Sequence, residues 1–428
     1  LFFRDGKLAL VTAASPDARY PTRTAVEEQF GTPEANIVFQ TQEYADYAQR
    51  GLRFLFDRQG QTIGVIHFAP RPRRVPPGHP TARINLRRDL PPSVPVAAPD
   101  DFRVGAAQVS IAPRRFNDLT PDAKEDPIHL AEDLFARAAV FQRGPTRLAL
   151  VGVDVFGLGP WDLDELRKSL AGKGFDRVVI AMSHTHANVD TVGFYGYYPR
   201  RYAKHVLRQT EAAVLEAANR LTPIQRLQTG SVEMPLAGGR AVDLVRNGRD
   251  PGIVDPTVSI LQAIGPDGKP IVNVVHLACH PEVIRLENTR GLSPDFVGAL
   301  AAEVTRRLGG QTVFLNGALG GMLTPDQRFR TQEAAQAMGR RLAHYACEAA
   351  KTAQPSSRYD LWMHTRRVEY PITGESVRRF LENPPEPVDL RDGRVEAEMS
   401  VVWIGDAQMV TVPGELLPEI GFQIMSRM

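Results

Sequence analysis

From Phe102 onward, short apolar runs alternate with segments whose apolar residues recur at helical spacing. That alternation restricts this part of the chain to an α/β architecture. Leu148 to Val155, Val178 to Met182, Ile271 to Leu277 and Thr312 to Leu315 read as strands. Asp162 to Leu170, Ala203 to Ala218, Phe296 to Leu308 and Ala334 to Ala350 read as helices. Val401 to Val412, broken by Gly405-Asp406, reads as a hairpin. A mixed-sheet domain over residues 102–428 follows.

The chain upstream is different. Nine of the 34 prolines fall in residues 69–101, interleaved with Arg71, Arg73 and Arg74. Proline lacks the N–H and fixes φ, so neither a helix nor a central strand propagates there. This stretch reads as a Pro/Arg-rich linker, and its arginines suit a solvated surface or an anionic lipid. Residues 1–68 carry a repeat: Leu1 to Gly6 aligns with Leu55 to Gly60, and the same offset pairs Val11 with Val65 and Pro16 with Pro70. Each unit reads as strand, Gly turn, strand. Thr24 to Glu27 reads as a capping box opening a helix that stops at Gly31. Tyr44 to Tyr47 and Leu52 to Phe56 read as further strands. The first unit lacks a helix and the chain opens on Leu1-Phe2-Phe3, so a processed or incomplete N-terminus is expected. The pattern resembles the small α+β modules of outer-membrane assembly lipoproteins (SmpA-like). An α+β appendage that carries no chemistry is the favoured reading of these residues.

Composition excludes several classes of function. The net charge of +2 argues against a nucleic-acid binder, although 44 of the 51 basic residues are arginine. No run of 18 apolar residues is present, so no transmembrane helix is expected. Two cysteines, Cys279 and Cys347, make neither a disulfide framework nor a Cys-rich zinc module, and both read as buried thiols.

The chemistry-bearing residues sit at strand ends. Ser183-His184-Thr185-His186 follows Val178 to Met182, His280 follows Leu277, Asn316-Gly317 follows Leu315, and Glu415 follows Val412 through Pro413-Gly414. In α/β sheets the carboxyl ends of strands face the ligand crevice. In extended backbone, residues i and i+2 point to one side, so His184 and His186 would face the same metal or substrate. Two or three imidazoles and one carboxylate suit Zn²⁺ with an open position. The expected fold is therefore a mixed-sheet metallohydrolase domain preceded by small α+β repeat units.

These residues also carry a family resemblance. From Phe102 to Gly421 the chain resembles the neutral, non-lysosomal ceramidase family. The matching segments, in order, begin with Arg103-Val104-Gly105 through Ile111-Ala112-Pro113, Ala136-Arg137-Ala138 and Val153 to Leu158. Ser183-His184-Thr185-His186, Asp255 to Leu261 and Ala278-Cys279-His280-Pro281 follow. Ser293 to Gly298, Phe314 to Gly320 and Val412-Pro413-Gly414-Glu415 complete the set.

The resemblance implies a zinc-dependent amidase that cleaves the N-acyl bond of ceramide or a related N-acyl lipid by metal-activated water. It implies that His184, His280 and Glu415 bind Zn²⁺ and that His186 sits beside the water or the oxyanion. Thr324 falls where the family has a Ser or Asn before a Pro, and with His186 it is a candidate catalytic residue. Arg246, or its neighbour Asn247, falls where the family has a substrate-contacting Arg, and Asn316 is a further substrate-side candidate. Asp154 and Asp295 are candidates to orient a ligating histidine. The run Val192 to Tyr198 fits an apolar mouth or an ordinary aromatic loop; Tyr195, Tyr197 and Tyr198 read as pocket wall or loop packing. The implied partner is a lipid or N-acyl amine, with peripheral membrane contact and an envelope protein reached through the N-terminal repeats. The implied location is the bacterial envelope (periplasm or outer membrane) or outside the cell.

Two departures from the family keep a second reading open. The Asp usual after Gly320 is replaced by Gly321, and the family's metal-ligating Tyr has no counterpart up to Met428. The second reading is a catalytically decayed envelope binding or scaffold protein. A metallo-phosphoesterase is a third reading, and the lack of a clustered Asp-x-His motif counts against it.

Overall fold

A computed structural model describes residues 2–4, 7–13, 22–33, 35–39, 42–47, 50, 52–56 and 62–68. It also describes residues 97–428 except 176, 238–239, 251–252, 389 and 426–427. Residues 69–96 of the Pro-rich stretch, including Arg71, Arg73 and Arg74, lie outside the described residues.

The N-terminal strands form one antiparallel sheet. Its spatial order is Phe2–Arg4, Lys7–Ala13, Thr62–Phe68, Leu52–Phe56, Gln42–Tyr47 and Ala35–Phe39. The helix Arg23–Phe30 places Val26 against Ala45, Tyr47, Phe54 and Phe56. Its cap is Thr22 rather than Thr24. The Thr22 hydroxyl accepts from Ala25 N at 3.2 Å, while Glu27 pairs with Arg23 at 2.8 Å instead of reaching back to a cap.

Residues 102–223 and 226–355 build one unit twice. The first copy runs through strands Phe102–Ser110, Phe135–Arg143 and Thr146–Val153, helix Pro160–Ala171, strand Arg177–Met182, helix Arg200–Asn219 and strand Thr222–Pro223. The second runs through strands Arg226–Glu233, Thr257–Ile264 and Pro270–Leu277, helix Phe296–Leu308, strand Gln311–Asn316, helix Gln332–Lys351 and strand Gln354–Pro355. Both sheets have the spatial order fourth, third, second, first, fifth. In both, only the third and fourth strands are parallel, joined by a helical crossover. The correspondence reaches single residues. A Cβ on Gly105 would come within 2.1 Å of Ala217 O, and one on Gly230 within 2.1 Å of Ala349 O. In each copy a bare backbone position in the first strand lets the long helix end press on the sheet.

The two sheets pack face to face. Phe102, Val104, Phe141, Leu148 and Leu150 of the first meet Leu261, Val272, Val274 and Val313 of the second. Alternate residues point outward: Ala149 and Val151 pack under the first pair of helices, and Val258, Ile260 and Val275 under the second. With both faces covered, the strands read as continuous apolar runs. At Gly152 the sheets approach so closely that a Cβ would lie 2.5 Å from Phe314 O. The expected hairpin forms from Arg394–Ile404 and Ala407–Thr411 around Gly405, and Leu361–Pro371 extends its sheet. Among the described residues, no helix is long and apolar enough to cross a membrane.

Candidate metal centre

The carboxyl ends of the two parallel strand pairs lie side by side, and the site grows from the loops that leave them. Ser183 N and His184 N donate to Val153 O and Val155 O at 2.8 and 3.0 Å. His184 takes a φ of 67°, so the chain kinks there instead of continuing as a strand. The extended geometry expected for the His pair is absent. The kink nonetheless brings the two imidazoles together, with ring centroids 5.1 Å apart. His280 leaves Pro270–Leu277 through Ala278-Cys279, and its ring lies 5.2 Å from His184 and 5.6 Å from His186. One ligating atom from each of the three histidines falls within 4.8 Å of the others.

Glu415 closes this cluster. Its Oε1 lies 3.2 Å from His184 Nε2 and its Oε2 lies 3.1 Å from His280 Nε2. Its delivery depends on Gly320, whose N–H donates to Leu416 O at 2.8 Å and whose missing Cβ leaves room for the Glu415 carbonyl. Hydrogen bonds from His184 and His280 hold the Glu415 carboxyl far below the usual carboxylate range, against the upward push of burial. On their other sides, His184 Nδ1 meets Phe156 O at 2.7 Å and His280 Nδ1 meets Leu323 O at 2.8 Å. A carbonyl only accepts, so each ring keeps a proton on Nδ1, and Nε2, the nitrogen that faces Glu415, is the one left to ligate a metal.

This donor set fits zinc. Tetrahedral ligands at about 2.0–2.1 Å from Zn²⁺ lie roughly 3.3 Å from one another. The two Nε2–Oε separations of 3.1 and 3.2 Å run to different oxygens of the Glu415 carboxylate and are hydrogen bonds that a metal held by these three side chains would replace. Backbone carbonyls behind both imidazoles supply the outer hydrogen bonds that ligating histidines usually have. Asp154 and Asp295 do not fill that role. Asp154 binds Arg137 at 2.6 Å and Phe135 N at 3.0 Å; Asp295 caps the helix Phe296–Leu308 and accepts from Ile284 N at 2.8 Å.

His186 stands on the wall of the cluster. Its Nε2 is buried with no hydrogen-bond partner among the described residues, and its Nδ1 lies 3.8 Å from Glu282 Oε2. Burial, reinforced by the neighbouring His184, lowers its pKa to about 4. Sequence reasoning missed Glu282. Its carboxylate is fully buried, accepts from the Thr324 hydroxyl and pairs with Arg285. Burial pushes its pKa up, but the Thr324 hydrogen bond and the charges of His186 and Arg285 outweigh it, leaving a net lowering. The one available signal was a carboxylate directly after His280-Pro281.

The substrate-side candidates separate. Arg246 lies across from Thr324 in an antiparallel strand pair, so both side chains leave the same face. Asn247 lies across from Leu323 on the opposite face, with its amide spent inside its own loop on Ile253 O, Arg249 N and Asp250 N. Asn316 braces the site. Its Nδ2 donates to Ser183 O at 2.8 Å and Cys279 O at 3.0 Å, and its Oδ1 accepts from Cys279 N and Gly317 N. In the aromatic loop, Tyr197 and Tyr198 pack inward on Asp118 O and Asp162, whereas Tyr195 is 74% exposed.

No family model matches the chain, and no curated protein matches it in sequence. Solved structures do. The neutral ceramidase from Pseudomonas aeruginosa aligns over 76% of this chain and 64% of its own, with a TM-score of 0.63 at 16% identity. A ceramidase complexed with C2 aligns over 76% of this chain and 65% of its own, with a TM-score of 0.61 at 18% identity. The chain therefore spans less than two-thirds of the length of either structure. Neither comparison bears on the SmpA-like reading of residues 1–68. At these identities the likeness is one of fold: the chain has a mixed α/β fold similar to that of the ceramidase structures.

Proposed function

We propose that the protein is a zinc-dependent amidohydrolase that cleaves the N-acyl amide bond of ceramide or a related N-acyl lipid. The observation that carries this reading is the carboxylate of Glu415 set between His184 Nε2 and His280 Nε2, with both Nδ1 atoms satisfied by carbonyls. His184, His280 and Glu415 would hold the metal. When bound, zinc supplies Lewis acidity to a carbonyl and lowers the pKa of water toward neutrality.

The remaining steps belong to side chains. His186 is neutral at pH 7, because burial and His184 lower its pKa to about 4. Its free Nε2 accepts a proton from the attacking water and returns it to the departing amine as the C–N bond breaks. Glu282 stands behind Nδ1 and Thr324 fixes Glu282. Arg246, half-buried on the Thr324 face, offers a cation to the polar head of the substrate. Asn316 keeps the His184 and His280 loops in register. The ceramidases of similar fold support the substrate class. The motif resemblance supports an envelope or secreted location.

The test is release of free long-chain base from a fluorescent N-acyl ceramide. Turnover should vanish on chelation, return with zinc, and be absent in His280→Ala. Intact turnover after complete metal removal would overturn the reading. An inert wild type that holds zinc would point to the decayed scaffold.

A further inference from the structure

We propose that Phe156, Tyr195, Phe194 and Phe380 form a track for the N-acyl chain of the substrate, running from the imidazoles to the helix Glu375–Glu382. The proposal rests on the amide-hydrolase reading and adds where the long chain lies.

The rings make an unbroken row. Phe156 lies 4.7 Å from the His184 ring and 5.3 Å from His186. Tyr195 follows at 6.0 Å from Phe156, Phe194 at 5.4 Å from Tyr195, and Phe380 at 5.5 Å from Phe194. The far end is the helix Glu375–Glu382, in which Val377, Phe380 and Leu381 share one face by their i, i+3, i+4 spacing. None of its residues is buried.

The middle of the row is held out in water on a braced loop. The Asp190 carboxylate accepts from Val192 N, Gly193 N and Tyr195 N at 2.8, 2.9 and 2.8 Å. Gly193 and Gly196 take φ of 83° and 93°, which turn the chain at both ends of the aromatic pair. Arg200 pairs with Glu386, so the segment carrying Phe380 is fastened to the same loop. A loop built this firmly that leaves Tyr195 and Phe194 exposed forgoes burial that large aromatic rings would otherwise gain.

Ring orientation selects the occupant. Phe194 and Tyr195 meet at 87° and Phe156 and Tyr195 at 49°, so the row offers no flat platform for a base or a sugar ring. Its one polar side-chain group is the Tyr195 hydroxyl. A corrugated apolar strip that starts at the metal centre fits a flexible alkyl chain, which needs contact area and no hydrogen bonds.

The experiment compares N-acetyl and N-palmitoyl sphingoid amides, dispersed in detergent, for wild type, Phe194→Ser, Phe380→Ser and Trp362→Ser as a control outside the row. The ratio of kcat/KM for palmitoyl over acetyl should fall at least tenfold in the first two variants. That corresponds to lost contact with about two methylenes. Trp362→Ser, outside the row, should keep the wild-type ratio. In parallel, equilibrium dialysis should show palmitate bound by wild type and at least fivefold more weakly by Phe194→Ser and Tyr195→Ser. Palmitate binding that depends on these residues, without turnover in wild type, would keep the track and sink the hydrolase reading. Palmitate binding and chain-length ratios unchanged in the variants would overturn the track. So would an effect seen only with substrate in vesicles, which would assign the row to the bilayer surface.

Discussion

Asn316, at the end of a strand in the second sheet, donates its amide to the carbonyl of Ser183, at the end of a strand in the first, across 2.8 Å. The same amide also grips Cys279, the residue before His280. One side chain therefore sets the spacing between the loop of His184 and the loop of His280.

Asn316→Ala should cost about 2–3 kcal/mol of stability, since several part-buried hydrogen bonds are lost at roughly 1 kcal/mol each. Zinc affinity should fall at least tenfold, the usual range for outer-shell changes. Thermal melts with and without zinc, and a competition titration, measure both. Unchanged zinc affinity would remove Asn316 from the site.

Gly320→Ala tests how Glu415 is delivered. The added Cβ would sit 2.5 Å from Glu415 O and 2.7 Å from Leu416 O, so that segment must shift. A fold cost of about 1–3 kcal/mol is expected. Zinc affinity should fall by more than that cost alone explains, read by the same titration against Glu415→Ala.

Thr324→Val removes the hydroxyl that Glu282 accepts from, leaving a buried carboxylate oxygen unpaired. About 1–3 kcal/mol of stability should be lost. Thr324→Ser should restore most of it, because the hydroxyl is what matters. Chemical denaturation of the three proteins decides.

Asp295 carries a pH signature. Burial raises its pKa from 3.8 to about 7, against the N–H groups of Ile284 and Phe296. Between those values the unfolded chain has released the proton and the folded chain retains it, so stability falls as pH rises through this window. The contribution is fully present below pH 4 and exhausted above pH 7, and amounts to on the order of 2–4 kcal/mol. Asp295→Asn should flatten this part of the stability-against-pH curve. An unchanged slope would mean the group titrates normally.

The residues proposed to hold the metal were legible as strand-end groups, because strand ends can be read from apolar runs and His184, His280 and Glu415 each follow one. Asn316 was visible as a strand-end residue, but not as a brace, because its partners are backbone groups on two other loops. Glu282 left almost no trace, since its importance comes from burial beside a histidine distant in sequence. The duplicated unit was hidden for a related reason. Its copies share topology and the bare positions Gly105 and Gly230, while strands buried on both faces read only as apolar runs.

Binding of one zinc ion by His184, His280 and Glu415 underlies the proposed chemistry. Elemental analysis of purified wild type beside His184→Ala tests it most directly. About one zinc per chain is expected in wild type, with loss of it in the variant. A wild type that takes up no zinc after reconstitution, or a His184→Ala that retains it in full, would rule out this metal site.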